Sequence, residues 1–115
     1  MFSTPSYGEW TKVSISATNK TTFYVDFERI RKQGGIIYYW ILSDFLKPKH
    51  GDWSSKIYVQ GDCNLFREKI LNASYHKKPM GEGPPSMLSS EPDKNWHYPP
   101  PNTSMELILK EVCNH

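Results

Sequence analysis

The chain has only two cysteines in 115 residues, no long apolar run and a formal net charge of just +2. Each scarcity removes a class of protein. A membrane-spanning helix needs about 20 consecutive apolar residues, and the strongest run, Ile36 to Leu42, stops far short of that. The basic residues are scattered, so the chain carries no nucleic-acid footprint. Its densest basic stretches, Arg29 to Lys32 and His76 to Lys78, lie near carboxylates or turns, as solvated surface does. Two separated cysteines also leave no Cys-x-x-Cys redox motif and no cysteine-rich zinc site.

Catalytic signatures are equally sparse. His50, His76, His97 and His115 lie far apart and show no metal-ligand spacing. There is no Gly-x-Ser-x-Gly elbow and no phosphate-cradling loop, while Gly34-Gly35 and Gly81-Glu82-Gly83 read as turns. Asp26, Asp44 and Asp62 each close a predicted strand, a common turn position, and nothing in their spacing makes an acid/base pair. The expectation is therefore no enzyme, no catalytic residue, no metal and no cofactor.

Aromatic residues, at 14% of the chain, are what the sequence has in quantity. Large rings suit a pleated, half-buried surface. Short β-type runs recur between Gly, Pro, Asn and Asp signals, the pattern of an antiparallel meander. The predicted strands are Glu9 to Ser16, Thr21 to Asp26, Gly35 to Asp44, Ser54 to Asp62 and Leu65 to His76, with one helical turn within Phe27 to Lys32. Six of the nine prolines then fall between Pro84 and Pro101, where neither a helix interior nor a central strand tolerates them. Residues 79–102 are accordingly read as a long Gly/Pro-rich surface loop, and residues 1–8 as a disordered or added segment ahead of one domain, 9–115.

A helix is the clearest local prediction. Thr103 and Glu106 have capping-box spacing, and Met105, Ile108, Leu109 and Val112 recur on one face. Strand parity places Cys63 with Ile57, Val59 and Gly61. A helix lying on that face brings Cys113 close to Cys63. A disulfide closing this 50-residue separation is worth about 4 kcal/mol in the chain-entropy account and implies an oxidising compartment. The alternative is a buried reduced pair in a cytosolic protein. The predicted class is α+β: a single antiparallel meander of about five or six strands with a C-terminal helix packed on one face.

Taken in order, several elements resemble the surface-adhesin protein E family of small exported bacterial proteins. They are Trp10 to Val13, Tyr24-Val25-Asp26, Ile30 with Lys32 and Gly34, and Tyr39 to Phe45. Ser54-Ser55-Lys56, Asp62-Cys63, Arg67, Tyr75, Gly81-Glu82-Gly83, Trp96, Pro100 or Pro101, and Val112-Cys113 continue the likeness. The resemblance implies an export signal upstream of Trp10, a periplasmic or cell-surface location, and a C-terminal helix disulfide-linked to an antiparallel sheet. It also implies a protein partner, a host matrix or envelope protein, and the capacity to form a homodimer. No binding residue of the family belongs to the matched pattern.

The run Ile36 to Leu42 is apolar at both parities, whereas a sheet with one solvated face alternates. Either the Pro-rich loop or a partner covers the second face. Tyr24, Tyr39 and Tyr58 are the candidate exposed aromatics for a protein-binding surface. The functional expectation is a non-catalytic exported binding module, and the alternative is a periplasmic enzyme inhibitor or envelope-stability factor acting through residues 80–101.

Overall fold

The computed structural model describes residues 9–115, so the expectation for residues 1–8 lies outside the described residues. Turn chemistry separates the strands. The Asn19 side chain accepts the Thr21 amide at 3.0 Å, between strands β1 (Thr11–Ile15) and β2 (Thr22–Val25). Asp26 then accepts the Glu28 amide and caps a 3₁₀ turn, Phe27–Arg29. A short strand β3 (Arg31–Gln33) follows, and Gly34, at φ +63°, leads into β4 (Ile36–Lys49). His50 and Gly51 both adopt positive φ, the two-residue turn that matches the twist of a hairpin. Because that turn is so tight, β4 runs past its expected end at Asp44 and joins β5 (Asp52–Asp62) directly. Asp62 accepts the amides of Asn64 and Leu65, and β6 (Arg67–His76) returns.

Every pairing is antiparallel, in the spatial order β1-β2-β4-β5-β6-β7, with β3 also on β4. Among the described residues the sheet has seven strands, because β3 and β7 (Pro85–Ser89) join the five that hydropathy and turns announce. Strand β7 corrects the reading of residues 79–102 as a loop. It pairs with β6 from Ala73 to His76. Further on, the Asp93 amide bonds to the Ile70 carbonyl, while His97 and Glu68 exchange two backbone bonds. Pro is tolerated here because an edge strand is paired on one side only.

Helix α1 (Ser104–Cys113) is capped as its sequence requires, with Thr103 Oγ1 accepting the Glu106 amide at 3.2 Å. The reciprocal arm differs by one residue: Glu106 accepts from Asn102, at 2.8 Å, instead of from Thr103. Ile108, Leu109 and Val112 are fully buried against Val25, Ile37, Tyr39, Ile41 and Val59, with Met105 partly buried beside them. Gly61 permits the closest approach, since a Cβ there would stand 2.8 Å from Leu109 Cδ1. Cys63 and Cys113 are disulfide-bonded, with their Cα atoms 5.8 Å apart.

Candidate binding surface

Directly paired residues on neighbouring strands share a face, so register sorts the aromatics. On β4, Ile37, Tyr39 and Ile41 face α1, while Tyr38, Trp40 and Leu42 face the other way. Trp40 pairs with Tyr58 of β5, Leu42 with Tyr24 of β2, and Tyr38 with Arg31 of β3. The result is a half-exposed aromatic ridge on the face opposite the helix. Its ring centroids are 4.7 Å apart for Trp40 and Tyr58 and 6.2 Å for Tyr38 and Tyr58. The Arg31 guanidinium lies over the Tyr38 ring, 5.4 Å from its centroid, within cation–π range.

Tyr39 is not on this surface. It is completely buried, which corrects its place among the exposed aromatics: its parity sets it with Ile37 and Ile41 beneath α1. Burial of a phenol requires a partner for its hydroxyl, and Glu68 accepts it at 3.4 Å. Desolvation raises the Glu68 carboxyl to about 7, the Tyr39 bond opposing the rise and Asp93 adding to it. Tyr24 and Tyr58 are half-buried on the ridge face. The residues that completed the ridge, Tyr38 and Trp40, were legible from the same alternation, which sets them opposite Tyr39.

One end of the ridge face is closed by the turn at Lys78–Gly81. The Asp44 carboxylate accepts the Met80 amide at 2.8 Å, and Ser54 Oγ donates to the Lys78 carbonyl and accepts from the Gly81 amide. Gly81, at φ +67°, fits against Leu42 and Lys56, where a Cβ would crowd both. Leu42 is thereby buried. Alongside the ridge is a cleft of about 250 Å³ lined by Trp10, Arg29, Trp40, Lys56, Asn72 and Leu88, among others. Burial lowers the Lys56 pKa, and the nearby Arg29 adds to the effect. Near the opposite end, Arg67 pairs with Asp62 at 2.9 Å and stacks on Trp96 at 4.4 Å, pinning the Pro-rich segment at the sheet edge. Bonds from the Leu65 amide and Arg67 hold the Asp62 carboxyl below its usual range.

Flat rings, amide groups and partly desolvated cations are the equipment of recognition. The sequence profile of the surface-adhesin protein E family matches residues 10–114, and the chain belongs to that family. Among solved structures, crystal form II of Haemophilus influenzae protein E aligns with a TM-score of 0.64 at 14% identity, covering 97% of this chain and 92% of that one. The selenomethionine form of that protein aligns at 0.63 and 14%, covering 99% and 94%. At this identity the likeness is one of fold. No curated protein matches.

Proposed function

We propose that this domain is an exported, non-catalytic binding module of the bacterial envelope or surface, acting as an adhesin-type receptor for a protein partner. The observation that carries the reading is the Tyr38, Trp40 and Tyr58 ridge, left half-exposed on the sheet face opposite the helix. Tyr24 and Arg31 flank it. Clustered aromatics and Arg are the residues that dominate protein interfaces, and membership of a surface-adhesin family supports the surface setting. For the alternative, a periplasmic enzyme inhibitor or envelope-stability factor acting through residues 80–101, the bonding of residues 85–89, 93 and 97 along β6 is the observation that favours the ridge reading over it. Met87 and Leu88, 60% and 66% exposed, put apolar side chains beside the outer edge of β7, where a second copy of the chain could add a strand.

The test is binding of the purified domain to immobilised matrix proteins, with wild type compared to Trp40→Ala and Tyr58→Ala. Each variant should bind about tenfold more weakly, the loss expected of a hot-spot truncation, while Tyr39→Phe binds normally. Unchanged binding by the Trp40/Tyr58 double variant, or none by the wild type, defeats the proposal.

A further inference from the structure

A second site lies on the opposite face of the sheet, beyond the reach of α1. Two rows of paired residues cross this face side by side. One runs Val25, Ile41, Ile57, Ala73 and is apolar throughout. The adjacent row, two residues further along each strand, runs Phe23, Ser43, Ser55, Tyr75, Met87 across β2, β4, β5, β6 and β7. Where the first row has two isoleucines, the second has two serines, and bulky side chains stand on both sides of them. The outcome is a trough with a hydroxyl floor and apolar walls. Its volume is about 540 Å³, within the range of small-molecule sites.

The polar groups of the trough are unevenly used. Thr21 is 2% exposed, lines the trough, and its hydroxyl is buried with no hydrogen-bond partner. An unsatisfied buried hydroxyl costs about 1–3 kcal/mol, so the fold keeps a polar group that nothing else in the described chain engages. Ser43 and Ser55 likewise make no side-chain hydrogen bond among the described residues. The carboxylate among the described lining residues, Asp52, makes both of its contacts through Oδ1, accepting from Ser86 Oγ at 2.7 Å and facing Lys77 Nζ at 3.8 Å. Lys49 stands at the trough with its Nζ 4.9 Å from the Phe45 ring centroid and no ion pair among the described residues. The Asp52 charge is offset by Lys77, whereas Lys49 and the three hydroxyls keep donors that no described residue takes up. A complementary ligand therefore brings an acceptor and a negative charge, attached to an apolar body that fits between Phe23 and Tyr75.

We propose that this trough binds a small organic carboxylate with an aryl or branched alkyl body, its carboxylate on the Thr21, Ser43 and Ser55 hydroxyls and towards Lys49. The site is separate from the aromatic ridge, and the proposal does not rest on the protein-binding reading.

Titration of the full chain with 3-phenylpropanoate, followed by amide chemical shifts, tests it. Shifts should concentrate at Thr21, Ser43, Lys49 and Ser55, with uncharged 3-phenylpropanol binding at least tenfold more weakly. Lys49→Gln, an exposed substitution that leaves the fold intact, should weaken the acid about tenfold. Ser43→Val fills the floor and should abolish binding. Thr21→Val should weaken binding while raising the melting temperature, because it removes the orphan hydroxyl. The proposal is overturned by absent shifts, by equal affinity for acid and alcohol, or by shifts that survive Ser43→Val.

Discussion

Two segments flank the sheet, and they are held by different forces. Helix α1 is fixed by apolar burial and one covalent bond: Ile108, Leu109 and Val112 lie in the core, and Cys113 is tied to Cys63. The stretch from Lys78 to His97 has almost no buried apolar side chain and is fixed by polar contacts to groups far away in sequence. Met80 is held by Asp44, Gly81 by Ser54, Ser86 by Asp52 and Ile70 by Asp93. His76 donates from Nδ1 to the Gly83 carbonyl at 3.1 Å. Burial of apolar surface makes a cooperative clamp, whereas separate hydrogen bonds contribute about 1 kcal/mol each and can open one at a time. One sheet thus carries a flank clamped by burial and a disulfide and a flank held by separate hydrogen bonds.

The largest effect expected is at the clamped flank. Cys113→Ser should lower the unfolding free energy by about 4 kcal/mol in the chain-entropy account, measured by denaturant titration. Amide exchange should accelerate from Met105 to Val112, since a helix of ten residues is too short to persist unsupported. It should stay unchanged at Gly81 and Ser86. Equal acceleration on both flanks would remove the distinction between them.

The same contrast explains what the sequence disclosed. Periodic burial is written in hydropathy, so the helix, its cap, its apolar face and the Cys63 to Cys113 bond were all legible, as were five strands. Strands β3 and β7 were not. Arg31, Lys32 and Gln33 are all exposed and alternate in nothing, while β7 contains Pro85 and has no buried residue. Their strand character comes from the edges they meet, β4 and β6, which no local pattern reports. Tyr39 shows a different limit. Alternation separates it correctly from Tyr38 and Trp40, but choosing the helix-covered parity required Gly61, Val59 and Leu109 to be read together. The polar anchors are least legible of all: Asp44 to Met80 spans 36 positions, and an isolated Asp before an aromatic gives no sign of its partner.

Glu68 sits where the two flanks meet, with its carboxyl bonded to Tyr39 under the helix and its backbone paired with His97. Burial raises its pKa from 4.5 to about 7, so the folded state favours the protonated form. The associated stability is fully present below pH 4.5 and is lost as pH rises through about 7, a change of roughly 3 kcal/mol. His76 acts in the opposite sense: burial lowers its pKa from 6.5, so its contribution is present above that value and lost as pH falls. Unfolding free energies at pH 5 and pH 8.5 should show the wild type less stable at the higher pH, with Glu68→Gln removing most of that difference. A difference that persists in Glu68→Gln would place the titration elsewhere.

The smallest effect expected is the one most specific to the polar flank. Ser54 is completely buried; its hydroxyl donates to the Lys78 carbonyl at 2.6 Å and accepts from the Gly81 amide at 2.8 Å. Ser54→Ala leaves both backbone groups without their partner, a cost of about 1–3 kcal/mol. Because Gly81 packs on Leu42 and Lys56, the loss should appear as faster exchange at Met80 and Gly81, with the Met105 to Val112 amides unaffected. Combining Ser54→Ala with Cys113→Ser decides whether the flanks are independent. Distant sites without shared partners add to within about 0.5 kcal/mol, so the double variant should lose the sum of the two costs. A shortfall or excess well beyond that margin would mean that the sheet between them couples the helix clamp to the polar edge.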